Sequence, residues 1–499
     1  MEILSRIGCK NIDNYTINNI GIPSIVLMEN AANGIVEIIK NLGNKVIVFC
    51  GTGNNGGDGL AVARKLWLLK KDVEVILVGN IKKLSEETKI NLNIINSLNI
   101  PVFNIENTED IKPSIIEKVS KGDYIIDSIF GIGLNREIKG IYKEVINLIN
   151  KYSNYIVSID IPSGLDSDTG EVLGICIKAN ITCSVEVIKK GFISNKAVEF
   201  VGEIKVVNID IPDFVKKENS EKTYILSNNR YKAMIPIRDK RGHKGNYGKV
   251  LIVAGSEKYC GAAFITTEAC VRTGSGLVTL LTHKDAGEAL KGRLTEAMIQ
   301  EYLSYKDIKS LTNFDIIACG PGFSLSENSK IILKKIVDET SCNLVLDADA
   351  LNIISENKEL LNELKGRTII TPHPGEMARL IGSTISYVES NRIDVAKKFA
   401  KENNIIVLLK GYNTVITDGE KVFINPTGNS KMASGGMGDC LTGIITSFVG
   451  QGLSLLQGTL LGAYVHGFIG DELSKERYIV NARDIINELP KTIEKLCEK

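Results

Sequence analysis

The sequence predicts an α/β protein of two layered domains, each built on a mostly parallel sheet. Short runs rich in Val and Ile recur between longer segments of helical period. Near-continuous apolar runs of this kind mark strands buried on both faces, with helices covering them. The rhythm breaks once, at 213–222 (DFVKKENSEK), a charged stretch with Val215 as its one β-branched residue, and then restarts. Length agrees, because 499 residues suit two large domains or about three ordinary ones.

The first half offers strands at 45–50, 73–78, 124–129, 155–161, 181–186 and 204–211, with covering helices at 58–69 and 87–98. The second offers strands at 250–254, 277–281, 315–319, 343–346, 368–371, 405–409, 413–417 and 421–424. The expected domains are therefore 1–212 and 226–499, joined by a linker at 213–225. From Cys440 to Gly470 there is no charged residue, a span long enough for a bilayer. Gly450-Gln451-Gly452 interrupts it, and neither a basic flank nor an aromatic belt accompanies it, so two buried helices joined by a tight turn are expected.

Composition narrows the function. The 43% hydrophobic and 24% charged content excludes disordered, collagenous and coiled-coil chains. Sixty Lys+Arg against 59 Asp+Glu argues against a polyanion binder working by bulk charge, so no nucleic acid is expected as partner. The ten cysteines form no C-x-x-C pair and read as reduced, mostly buried thiols of a cytoplasmic protein. The opening stretch MEILSRIGCKNIDNYTINN has no apolar h-region, so no secretory signal is expected. No G-x-x-x-x-G-K-[ST] occurs, which argues against a P-loop ATPase.

In the first half, strand 45–50 runs into GTGNNGGDG before a helix. A glycine-rich entry to a helix lets backbone approach an anion at the positive end of the helix dipole. Asn54, Asn55 and Asp58 add oxygens that suit a polar substrate or a hard cation. Two further strand ends carry carboxylates, Asp127 in DSIFGIGL and Asp160 in DIPSGLD. Ligands of open parallel sheets sit at such carboxyl ends, so the three loops are expected to converge. These three stretches together resemble the NAD(P)H-hydrate epimerase family. The resemblance implies a Rossmann-like three-layer fold and a bound potassium ion. It also implies interconversion of the R and S forms of hydrated nicotinamide nucleotides. It places Asn54, Asn55, Gly56, Gly57, Asp58, Gly131, Ile132, Gly133, Leu134, Asn135, Arg136 and Glu137 on the substrate. Asn55, Asp127 and Ser163 would hold potassium, and Asp160 would contact the substrate and serve as acid or base at carbon 6.

The second half carries NSKMASGGMGDCLTG at the start of the uncharged helix. Its three glycines offer backbone N–H groups as an anion hole, and Asp439 at the edge can take a proton from an attacking hydroxyl. LLKGYNT follows a buried strand and offers nucleotide contacts, while TPHPGE frames His373 between two prolines. Gly320-Pro321-Gly322 makes another strand-end turn. Asp347 and Asp349 lie two apart at a strand end, with their role open. With HKGNYGKVLIVAGS and CGAAFITTEACVRTGSGLV, these stretches resemble the ADP- or ATP-dependent NAD(P)H-hydrate dehydratase family, with its ribokinase-like α/β fold. Met437 stands where that family more often has Thr. The resemblance puts Gly261 or Ala262, Gly322, His373 and Asp439 on the hydrate, and Lys410, Gly411, Tyr412, Asn413, Thr414 and Gly438 on the adenine nucleotide.

Epimerase followed by dehydratase is the order of bacterial bifunctional repair enzymes, which implies ADP as co-substrate, magnesium, and hydrated NADH or NADPH as substrate. Asp439 would deprotonate the ring hydroxyl, which would attack ADP, and the resulting phosphate ester would leave to give NAD(P)H, AMP and phosphate. A homo-oligomer without membrane association is expected. Two alternatives share part of the signal: a ribokinase-like small-molecule kinase fused to a nucleotide-binding domain, and a non-catalytic scaffold.

Overall fold

A computed structural model describes residues 1–308 and 310–498. The chain divides into two compact units, Met1–Thr223 and Tyr224–Lys499. The stretch read as a linker folds instead as helix Asp213–Glu218, whose Val215 is fully buried. Buried Val215, with Phe214 edge-on to the Tyr15 ring, seats a short helix in a charged run.

The main sheet of the first unit has seven parallel strands. In spatial order they are Val102–Ile105, Asp72–Val78, Lys45–Cys50, Tyr124–Ser128, Ile156–Ile159, Ile181–Val185 and Glu203–Val207. The order is therefore third, second, first, fourth and onward, with the reversal between Lys45–Cys50 and Tyr124–Ser128. Alternate residues of one strand feed opposite faces: Val46, Val48 and Cys50 join one core, Ile47 and Phe49 the other. That makes three layers. Edge strand Val102–Ile105 was not expected, since Asn104 interrupts its apolar run and only edge strands tolerate such polarity.

The second unit's sheet runs Thr223–Tyr224, Val422–Asn425, Thr414–Thr417, Ile406–Leu409, Thr368–Ile370, Asn343–Leu346, Ile316–Cys319, Lys249–Val253, Leu277–His283 and Met298–Tyr302. The seven strands from Ile406–Leu409 to Met298–Tyr302 pair in parallel, and Thr414–Thr417 and Val422–Asn425 add antiparallel. The reversal lies between Lys249–Val253 and Ile316–Cys319. The uncharged span forms two helices, Met437–Gly450 and Leu455–Ser474, joined at Gly452 with φ +101°. Gly458 and Gly462 face Val449 and Ile445 so closely that no methyl would fit, so the two helices pack tightly. Among the described residues no helix is long and apolar enough to cross a membrane, and all ten cysteines are free thiols.

The NNGGDG stretch is not a loop before the helix. Helix Asn54–Leu68 starts at its first Asn, with Gly53 as N-cap. Its glycines serve close packing: a Cβ on Gly56 would lie 2.0 Å from the Gly51 carbonyl oxygen, and one on Gly59 would fall within 1.9 Å of Ser128 Oγ. Backbone against backbone cannot yield cheaply, so Gly56→Ala is expected to cost about 1–3 kcal/mol in the first unit. The single tryptophan, Trp67, lies on the same helix. Its fluorescence during urea unfolding measures the loss directly, and an unchanged midpoint would show that the helix is not seated this close.

Candidate active sites

The first unit's strand reversal opens a cavity of about 650 Å³. Asn54, Asn55 and Asp58 reach it from the first turns of helix Asn54–Leu68. Gly131, Ile132, Gly133, Leu134, Asn135 and Arg136 line it from the loop after Tyr124–Ser128, and Asp160 from the end of Ile156–Ile159. The expected convergence of three strand-end loops is what the structure has. Asp160 sits at φ +66°, a left-handed conformation costly for a residue with a Cβ. Its backbone N–H still donates to Cys183 O at 2.8 Å, and its carboxylate accepts from Val185 N at 3.2 Å.

Lys189, which sequence reading passed over, is only 2% exposed and salt-bridged to Asp160. Its ammonium also donates to Val185 O at 2.8 Å and Ser184 Oγ at 3.1 Å. Lys189 lies on a two-residue strand paired with Ile3–Leu4, so the N-terminal segment helps fix it. Asp13, on helix Arg6–Tyr15, also lines the cavity and was not foreseen. Burial, then the Asp160 charge, push Asp13 up to about 6 against the pull of Lys189. Burial, then Asp160 and Asp13, hold Asp58 well above the usual carboxylate range. One ammonium thus serves several carboxyl groups, and those not paired to it favour the protonated form.

Some expected site residues lie elsewhere. Gly56 and Gly57 do not line the cavity, and a Cβ on them would meet Gly51 and Met28 with Thr88 respectively. Glu137 stays outside it, paired with Lys139 at 2.8 Å. Asp127 and Ser163 lie beneath the 129–131 loop. Asp127 is fully buried and accepts from Ser163 Oγ at 2.6 Å, Ser158 Oγ at 2.8 Å, Ser163 N at 2.9 Å and Ile129 N at 3.3 Å. Ser163 Oγ in turn accepts from Phe130 N at 2.9 Å. All of these donors are neutral, and burial still raises the Asp127 pKa. Asn55 is buried nearby, with its Nδ2 unpartnered and its carboxamide against Gly131. An oxygen-rich set around an uncompensated buried carboxylate fits a hard monovalent cation.

In the second unit, all six residues expected on the nucleotide, Lys410, Gly411, Tyr412, Asn413, Thr414 and Gly438, line one cavity of about 400 Å³. His466 lines it too, unforeseen, with Nε2 unpartnered and its pKa driven by burial down to about 4. At its edge begins helix Met437–Gly450, behind Gly436 at φ +89°. The first-turn N–H groups of a helix have no helical acceptor and so face a ligand. Asp439 stands in that turn. Burial, then the Asp347 charge, push it up to about 6, with Lys410 opposing.

The Lys410 side chain turns toward Asp439 rather than outward. Its Nζ donates to Asp347 Oδ1 at 2.8 Å, lies 3.9 Å from Glu376 Oε2, and is 3.3 Å from where a Cβ on Gly438 would stand. Burial works against this ammonium, but Asp347, Glu376 and Asp439 outweigh it and raise its pKa. On the other side, Gly322 (φ +60°) touches Tyr259 and Ala262. Gly261 and Ala262 open helix Cys260–Thr273, which packs against helix Met437–Gly450 through Gly443 on the Thr266 carbonyl. His373 lines neither this cavity nor the larger one near Tyr259. It caps helix Pro374–Ile381, its Nδ1 accepting from Gly375 N at 3.0 Å, while Glu376 accepts from His373 N at 2.8 Å. The prolines around it serve this cap. Asp349 accepts from Ser324 N at 2.8 Å. Asp347 accepts from Lys410 Nζ on one oxygen and from Thr442 Oγ1 on the other, and magnesium that keeps most of its waters would be held chiefly by the phosphates of its nucleotide.

Comparison with known proteins gives the same division. The NAD(P)H-hydrate dehydratase family profile matches residues 250–491, and that of the YjeF-related protein N-terminus matches 24–191. The bifunctional NAD(P)H-hydrate repair enzyme Nnr of Moorella thermoacetica is 35% identical over 520 residues, covering 100% of this chain and 98% of its own. The Thermofilum pendens protein of the same name is 32% identical over 515 residues, covering 100% and 97%. Among solved structures, the ADP/ATP-dependent NAD(P)H-hydrate dehydratase from Bacillus subtilis, co-crystallised with ATP/Mg2+, has a TM-score of 0.50 at 27% identity, covering 56% of this chain and 100% of that one. A ribokinase-like superfamily protein from Enterococcus faecalis gives 0.52 at 29% identity, covering 56% and 98%. With relatives this similar along the whole length, the chain belongs to the family of bifunctional NAD(P)H-hydrate repair enzymes.

Proposed function

We propose that the first unit interconverts the R and S forms of hydrated NADH and NADPH, and that the second dehydrates the S form at the expense of ADP. The observation that carries the second half is Asp439 in the first turn of a helix, with the Lys410 ammonium at Gly438 and a cavity beside it lined by every expected nucleotide residue. Hydroxide leaves a ring carbon poorly. Asp439 takes the proton of the carbon 6 hydroxyl, and the oxygen attacks the terminal phosphorus of ADP as the bond to AMP breaks. The N–H groups of the first turn and Lys410 meet the charge on the transferring phosphoryl. The ring nitrogen then expels phosphate, and loss of a proton restores the reduced ring. Gly322 and Ala262, which lie close to one another, would contact the ring.

In the first unit, Asp160, held by Lys189, takes the proton of the carbon 6 hydroxyl as the ring carbon–nitrogen bond opens to an aldehyde and a protonated ring nitrogen. Re-closure on either face of the aldehyde gives either epimer and returns the proton. Asp13 and Asp58 lean toward their acid forms, so a donor and an acceptor face one cavity. Asn55, Asp127 and Ser163 would hold potassium, which supplies positive charge against the buried carboxylate. The relatives bear repair-enzyme names, which favours this reading over the kinase and scaffold alternatives.

Five measurements test this. Asp439→Asn is expected to cut hydrate-dependent AMP release by about 10²–10⁴-fold while epimer exchange continues. In the unsubstituted protein, a base with pKa of about 6 must be ionised to work. The turnover rate of the dehydratase should plateau above that value and fall tenfold per unit below it, and a flat profile through pH 5–7 removes Asp439 from the role. Asp160→Asn should slow epimer exchange by about 10²–10⁴-fold, measured by following both epimers chromatographically without ADP. Potassium should accelerate that exchange and raise the first unit's thermal midpoint, both gains being lost in Asp127→Asn. Running the AMP assay with ADP and with ATP decides the co-substrate.

A further inference from the structure

We infer that Asp347 is a positioning residue for dehydration, anchoring the Lys410 ammonium at Gly438 and so leaving Asp439 free to act as base. The inference rests on the reading of Asp439 given above. Lysine is a point charge on a flexible stem, and at this strand end it has three carboxylates within its surroundings: Asp347, Glu376 and Asp439. Left to itself it would pair with the catalytic carboxylate, lowering its basicity and occupying the oxygen that must take the proton.

The structure prevents this. Asp347 is 1% exposed, and its two oxygens are engaged separately, Oδ1 by Lys410 Nζ at 2.8 Å and Oδ2 by Thr442 Oγ1 at 2.8 Å. Thr442 lies three residues beyond Asp439 on the same helix, hence on nearly the same face. The anchor is therefore tied to the element that carries the base. The Lys410 backbone is fixed as well. Its N–H donates to Pro372 O at 2.9 Å, and the buried Arg392 guanidinium donates to Leu409 O at 3.1 Å and Lys410 O at 3.2 Å. With both ends of the lysine held, its charge stays beside the helix N-terminus, where the transferring phosphoryl must lie.

The test is a double-variant comparison on the full chain, reading kcat and KM for ADP from AMP release with hydrated NADH, between pH 5 and 8. Asp347→Asn keeps the shape and the Thr442 contact but loses the anchor. It is expected to lower kcat by about 10²-fold with a smaller change in KM. Its acidic limb should move to lower pH. The groups facing Asp439 are Asp347 and Asp349 after one strand and Lys410 after another, with Glu376 behind Lys410. Removing the first and freeing the third both stabilise the Asp439 carboxylate. If Asp347 acts through the lysine, Lys410→Met and the combined Lys410→Met/Asp347→Asn variant turn over at rates within about twofold of each other. The combined variant buries no unpaired charge, whereas each single variant does, so the thermal midpoint of every variant is measured beside its rate and only variants that melt as the unsubstituted chain does are compared. A further large loss on adding Asp347→Asn to Lys410→Met, or an unshifted limb in Asp347→Asn, overturns the inference. Full turnover by Asp439→Asn would sink the base assignment instead, and the two failures are read from different variants.

Discussion

A charge taken out of water must be matched, and at the candidate site of each unit one buried lysine carries much of that demand. Lys189 is salt-bridged to Asp160 and Lys410 to Asp347, and both lysines lie among more carboxyl groups than one ammonium can satisfy. Desolvation of an isolated carboxylate is expensive enough that the surplus groups shift toward protonation instead. Asp13 and Asp439 both reach about 6 in this way, from opposite halves of the chain. Groups poised near neutrality can give and take protons in water at ordinary pH, which is what acid–base chemistry requires.

The parallel sheet makes that concentration of charge possible. Strands running the same way end together, so their following loops meet at one edge, and the reversal of strand order parts the loops into a crevice. Register supplies finer placement. Asp127 pairs with Ser158 across neighbouring strands, which puts the serine hydroxyl on the carboxylate. Glycine then sets the depth. Gly51 meets the Ile129 carbonyl and Gly56 meets Gly51, so a strand end, a loop and a helix start close over one another with no side chain between.

Much of this was legible in the sequence, and the misses have physical causes. Central strands announce themselves because both faces are buried. The edge strands Val102–Ile105 and Met298–Tyr302 do not, because Asn104, Gln300 and Glu301 face conditions that tolerate polarity. Glycine-rich stretches marked the sites, but their number could not separate glycines that contact a ligand from glycines that let elements touch. Gly131 lines the cavity, while Gly56 and Gly57 do not. The two lysines behaved oppositely. Lys410 was found by its motif but its ammonium faces the catalytic end. Lys189 has no local signal, since its strand is two residues long and gains meaning only from a partner strand far away in sequence. Asp13 was hidden for the same reason. His373, framed by its prolines, caps a helix through Nδ1 and leaves half of its side chain exposed.

Placing two such sites in one chain follows from what the second site must do. A base that removes a proton from one hydroxyl, in line with a nucleotide phosphoryl held at a helix terminus, fixes the direction from which that hydroxyl points. Hydration at carbon 6 creates a stereocentre, so on the proposed reading of Asp439 as base the mirror arrangement carries its oxygen to the opposite face, out of reach of that carboxylate. The stringency that lets Lys410 and the helix N-terminus act on one oxygen therefore strands the other epimer. Cleavage of a phosphoanhydride pulls the accepted form away, and reversible opening and re-closure at carbon 6 in the first unit, which needs no such driving force, refills it. A tightly aligned, energy-consuming site is useful on a mixed pool only when a permissive site of the first kind accompanies it.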